Sequence, residues 1–195
     1  DLIMFKRISC LLILATLFLA GCLVKPFVPQ PGPAYGVEGR YAIVHSDSLT
    51  IIARPQAYWE RSGSVGSGFF PIFIKMRNIS SKQLTLSRQS FSVIAGGRQY
   101  DHVPLRFVLG TIRHDVWDSQ FRSGDIFDPA FPPEQDEYQA EAREQYLDLV
   151  NNYFSFGTIL PGGEKQGYLF YDERVGRHTD FELDVLGTKV TFSRE

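Results

Sequence analysis

Four histidines, His45, His102, His114 and His178, are the side chains of this chain best suited to exchange protons near neutral pH. Two of them stand beside carboxylates, as Asp101-His102 and His114-Asp115, and Asp118 follows three residues later. His102, His114, Asp115 and Asp118 could form a metal or acid/base site if the fold gathered them. Neighbours in a strand point to opposite faces, so Asp101 and His102 share one site only where the backbone bends. Surface and capping roles suit these residues better, and neither a catalytic residue nor a metal is assigned. Asp125 and Asp128, with Asp118, offer oxygens to calcium but lack the alternating acids and central glycine of a calcium loop, so they read as solvated acids. Trp59 and Trp117 with the tyrosines offer a stacking platform for sugars, or simply core filling.

Other chemistry is excluded by type and spacing. Gly63, Gly66 and Gly68 fit neither phosphate-cradling fingerprint and no helix follows them; Gly66-Ser67-Gly68 is a loop, not a nucleophile elbow. No Cys/His spacing suits zinc. With 20 basic and 22 acidic residues among 195, a net charge of −2 gives little field for phosphates, so no nucleic-acid partner is expected. Two cysteines cannot make a disulfide framework.

The cysteines have a different use. Met4-Phe5-Lys6-Arg7 is a short basic head; Ile8 to Ala20 is an apolar run of about 13 residues, too short to span a bilayer comfortably. The run closes on Leu19-Ala20-Gly21-Cys22, which resembles the lipobox of a bacterial lipoprotein signal at all four positions. The resemblance implies diacylglyceryl modification of the Cys22 sulfur, cleavage between Gly21 and Cys22, and acylation of the new amino group. The only cofactor implied is that covalent lipid, and the acyl chains make the bilayer the first partner. Cys10 would leave with the signal, and a mature chain would keep 18 basic and 21 acidic residues. An Asp after the cysteine resembles an inner-membrane retention signal; Leu23 in its place implies the outer membrane, periplasmic face.

Lys25 to Gly36 holds four prolines and two glycines and reads as a semi-extended spacer carrying the body some tens of Å from the bilayer. From Arg40 on, short β-type runs alternate with turn residues. Tyr41–Val44 and Leu49–Ala53 flank a hairpin loop, and Phe70, Ile72, Ile74 and Met76 line one face of a strand from Phe69 to Ile79. Pro71 suits an edge or a strand start. Phe91–Ala95 pairs with Arg98–Val103 through Gly96-Gly97. Gly157–Leu160, Gln166–Tyr171, Phe181–Leu186 and Lys189–Phe192 complete eight to ten strands, the spacing of a β-sandwich.

Residues 104 to 153 break this rhythm. Tyr138, Ala142, Tyr146, Leu149 and Tyr153 recur every three or four residues, predicting one amphipathic helix over Glu134 to Tyr153. The Met76-Arg77-Asn78-Ile79-Ser80 strand end, followed by Phe91-Ser92-Val93, resembles a pattern of immunoglobulin-like bacterial lipoproteins. Leu160-Pro161-Gly162-Gly163-Glu164, then Gly167-Tyr168-Leu169-Phe170, is similar to a second pattern of the same families. They imply a mainly β, immunoglobulin-like β-sandwich over 37–195 with a helical insertion at about 104–153, behind a signal peptide (1–21) and a lipidated tether (22–36). The expected function is a non-enzymatic binding or assembly module for an envelope protein partner, its surface centred on Tyr138, Tyr146, Leu149 and Tyr153. A hydrolase or metal-dependent enzyme built on the His/Asp residues is one alternative, and a glycan- or lipid-binding module another.

Overall fold

Alternation in the longest strand organises the body. Ile72, Ile74 and Met76 are fully buried, while Lys75 and Arg77 on the other face reach solvent, as a pleated strand with one face on a core requires. The computed structural model describes residues 25–55, 58, 68–110 and 133–195, with backbone alone for 133–142. Its strands are β1 (Phe27–Pro29), β2 (Gly36–Glu38), β3 (Tyr41–His45), β4 (Leu49–Pro55), β5 (Phe69–Asn78), β6 (Leu84–Leu86), β7 (Phe91–Ala95), β8 (Arg98–Asp101), β9 (Gly157–Ile159), β10 (Glu164–Asp172), β11 (Asp180–Val185) and β12 (Thr188–Arg194). One antiparallel sheet runs β1-β12-β11-β7-β8, a second runs β10-β5-β4-β3-β2, and β6 pairs with β9 in a separate ribbon.

The two large sheets share one apolar core, giving the mainly β, sandwich-like character expected. Ala42, Ile51, Ala53, Leu169 and Tyr171 enter it from one sheet; Val93, Phe181, Leu183, Val190 and Phe192 enter from the other. Phe70 of β5 bridges the layers, meeting Phe27 and Phe181 edge to face at 5.4 and 5.3 Å. Full burial of a Val, Leu, Ile or Phe side chain in this core contributes about 1.5–3 kcal/mol.

Turn chemistry places the strand ends. Gly96 and Gly97, both at positive φ, close the β7–β8 hairpin as the glycine pair predicts. The β11–β12 turn falls at Leu186-Gly187, so Leu186, expected as the last residue of its strand, belongs to the turn. Pro71 needs no edge strand. Opposite it, Phe170 turns its carbonyl away from β5, so Pro71 faces the other side, where β4 has already ended at Pro55.

The spacer expected over Lys25 to Gly36 is not free. β1 pairs with β12, Gln30 N–H donates to the Thr191 carbonyl, and Gly36–Glu38 pairs with β3. Phe27 is buried beneath the Arg194 guanidinium, 4.5 Å from its ring centre. Pro29 sits in an edge strand of three residues, where a missing N–H costs little. Apolar Phe27 and Val28 between the prolines outweigh the extended preference of the prolines themselves.

Two helical segments lie between β8 and β9 among the described residues. α1 covers 105–110, and α2 runs Pro133–Asn152, within a residue of the predicted span. α1 was not expected; Pro104 supplies its first turn, its carbonyl accepting from Phe107 and Val108. Among the described residues no helix is long and apolar enough to cross a membrane.

Candidate functional site at the helical insertion

Strand β10 is apolar on both faces over Tyr168-Leu169-Phe170-Tyr171. Leu169 and Tyr171 enter the sandwich core; Tyr168 and Phe170 belong to a second cluster with Tyr58, Val108, Leu149 and Tyr153. β10 is also a sheet edge, and the insertion covers it: Val103 N–H donates to the Phe170 carbonyl at 2.6 Å and Phe154 N–H to the Tyr168 carbonyl at 3.0 Å. The chain comes so close at Gly167 that a Cβ there would lie 2.7 Å from the Asn152 carbonyl and the Phe154 nitrogen. Only glycine lets α2 end against the strand.

Polar contacts fix the helix. Tyr58 Oη donates to Asp148 Oδ2 at 2.7 Å, and Asn152 Nδ2 donates to Asp148 Oδ1 at 2.9 Å. Burial, then the neighbouring Asp148 carboxylate, hold the Tyr58 phenol well above its ordinary pKa, so it remains a donor. Its ring meets Tyr168 and Phe170 edge to face at 4.9 and 5.3 Å. At the other end of this seam Tyr153 Oη donates to the Val103 carbonyl at 3.1 Å and lies 3.3 Å from His102 Nδ1. His102 stacks on Phe156 at 4.8 Å and is only 7% exposed. Burial lowers its pKa, so the imidazole is neutral in the fold. In the sandwich core Tyr171 Oη is fully buried with no hydrogen-bond partner among the described residues.

The described histidines do not converge. His102 is buried against Tyr153, whereas Asp101 is exposed and accepts from Gln99, as opposite strand faces dictate. His45 is exposed at the end of β3, and His178 packs by Gly96 at the opposite end of the sandwich. His114, Asp115, Asp118, Asp125, Asp128, Trp59, Trp117, Gly21 and Cys22 lie outside the described residues. Among the described residues no three His, Cys, Asp or Glu side chains are grouped to hold a metal.

The expected partner surface is divided. Leu149 is fully buried and Tyr153 half-buried, so both are used in docking α2 to β10 and neither is open to a partner. Tyr146 is exposed, and the Tyr138 side chain lies outside the described residues. Among the described side chains of the insertion, the other large apolar groups that reach solvent are Leu147 and Val150 beside Tyr146 on α2, and Phe107 on α1. Leu149 and Tyr153 are covered because a helix laid on a strand buries the centre of its apolar face and leaves the flanks.

No family model, curated protein or solved structure matches this chain. The geometry therefore carries the functional reading by itself. Sequence reasoning overlooked Tyr58 and Phe156. The unbroken apolar run at 168–171 was the available signal, because a strand covered on both faces needs something to cover its second one.

Proposed function

We propose that this protein is a lipid-anchored envelope lipoprotein that acts as a non-enzymatic binding or assembly module. The anchor is Cys22, in the outer membrane and facing the periplasm, and the body is an immunoglobulin-like sandwich. The observation that carries the binding reading is the arrangement of the insertion. It is bonded into the β10 edge, while Tyr146, Leu147 and Val150 on a flank of α2 and Phe107 on α1 are exposed to solvent. Exposed apolar groups on a firmly docked element suit recognition of another protein. The His/Asp enzyme reading gains no support from His102, whose Nδ1 faces a tyrosine inside the fold.

Deleting 104–153 would strip Tyr168 and Phe170 and open the β10 edge, which invites aggregation. Point variants avoid this. Crosslinking in intact envelopes is expected to recover a discrete partner with the native chain and to lose it with Leu147→Asp/Val150→Asp. Equal recovery with both would sink the assignment of this surface. Cys22→Ser is expected to abolish lipid labelling and leave the precursor uncleaved, and unchanged labelling would remove the anchor.

A further inference from the structure

Where the chain becomes fixed decides how far a Cys22 anchor lets the body stand from the membrane. The Lys25 carbonyl accepts from Arg194 Nη1 at 2.8 Å, the Pro26 carbonyl accepts from Glu195 N–H at 3.1 Å, and β1 begins at Phe27. Three Cα steps separate Cys22 from Lys25. Whatever conformation residues 23 and 24 adopt, those steps reach at most about 11 Å. A twelve-residue extended spacer would have reached about 37 Å.

We propose that the sandwich stands end-on against the lipid headgroups, on the end where β1 enters. This rests on the lipid-anchor reading above. Register and contacts identify the end. Arg194 also donates to the His178 carbonyl at 3.3 Å and to the Gly176 carbonyl, and Gly176 and His178 lie in and beside the 173–177 turn that follows β10. His178 packs under Gly96, in the turn joining β7 to β8. Lys25, the 173–177 turn and the Gly96-Gly97 turn with Arg98 therefore share one end. The opposite end carries the turn from Asn78 to Lys82, and the ten residues of β5 separate the two by about 30 Å. A headgroup layer is about 6 Å thick, so an 11 Å leash holds the first end at the layer, and in the end-on stance the second end is clear of it.

The apposed end carries mixed charge. Arg174 pairs with Asp172 at 2.6 Å and Arg177 with Glu173, while Lys25 and Arg98 are exposed. The leash rather than attraction to anionic lipid sets the approach, so raising salt leaves it unchanged.

The test uses the lipidated protein in vesicles of phosphatidylethanolamine and phosphatidylglycerol that contain a headgroup-nitroxide lipid. Acylation consumes the Cys22 thiol and cleavage removes Cys10, so Arg98→Cys and Lys82→Cys each leave one thiol for a fluorophore. Nitroxide quenching is expected to be several-fold stronger at 98 than at 82, to persist in high salt, and to fall at 98 when a Gly/Ser segment is inserted between Val24 and Lys25. Equal quenching at both sites, weak or strong, would overturn the end-on placement while leaving the anchor intact. A second labelled thiol, in protein that does not float with the vesicles, would overturn the anchor and this placement with it.

Discussion

Asn78 shows how much one buried amide can hold. Its side chain donates to the carbonyls of Lys82 at 2.7 Å and Ile159 at 3.1 Å and accepts from Ser80 N–H and Oγ, while its backbone pairs with Gly162 and Gly163. The Asn78-Ile79-Ser80 strand end and the Leu160-Pro161-Gly162-Gly163 turn, distant in sequence, are thus one structural unit. Asn78→Ala strands these partners inside the fold, and a loss of about 2–4 kcal/mol is expected in urea unfolding. Asn78→Asp keeps the size but turns a carboxylate toward the Lys82 and Ile159 carbonyls, and should do no better. Tyr171 is the opposite case. Its hydroxyl makes no hydrogen bond among the described residues, so Tyr171→Phe is expected to hold stability or raise it by up to about 1–2 kcal/mol. A loss above 1 kcal/mol would reveal a hydrogen bond the hydroxyl does make.

At the scale of elements, the seam between the insertion and β10 carries a pH dependence. His102 is neutral in the fold with its pKa below the unfolded value of about 6.5. The unfolded chain therefore binds the extra proton first, and stability falls as pH drops below about 6.5 until the folded pKa is passed. Unfolding midpoints measured across that range should slope downward toward acid, and His102→Gln should flatten the slope attributable to this group. An unchanged slope would place the proton uptake elsewhere. The neutral imidazole keeps contact with Tyr153 and Phe156, so acid should loosen the insertion before the sandwich, as hydrogen exchange at Phe154 and Val103 would report.

For the molecule as a whole, the proline-rich entry segment belongs to the folded body. Phe27 contacts Phe70 and Phe181 edge to face at 5.4 and 5.1 Å and lies beneath Arg194. Phe27→Ala is expected to cost about 3–4 kcal/mol and to raise amide exchange along the outer side of β12. A spacer residue would cost almost nothing, and thermal unfolding separates the two outcomes. The same docking shortens the reach of the proposed anchor at Cys22, linking packing at Phe27 to the height of the proposed partner surface above a membrane.

Local pattern determined the strands and their turns. Alternation at 69–78, the glycine pair at 96–97 and the three-four spacing of α2 each state their element within a few residues, because pleat, turn and helix periods act over short stretches of chain. Tertiary structure decided everything that depends on cover. Which flank of α2 is buried, why β10 is apolar on both faces, and where His102 points follow from one element lying on another, which no period encodes. The same reason separates β1 from a tether: prolines set the backbone of residues 25–36, but only the presence of Phe70, Phe181 and Arg194 makes burying Phe27 favourable.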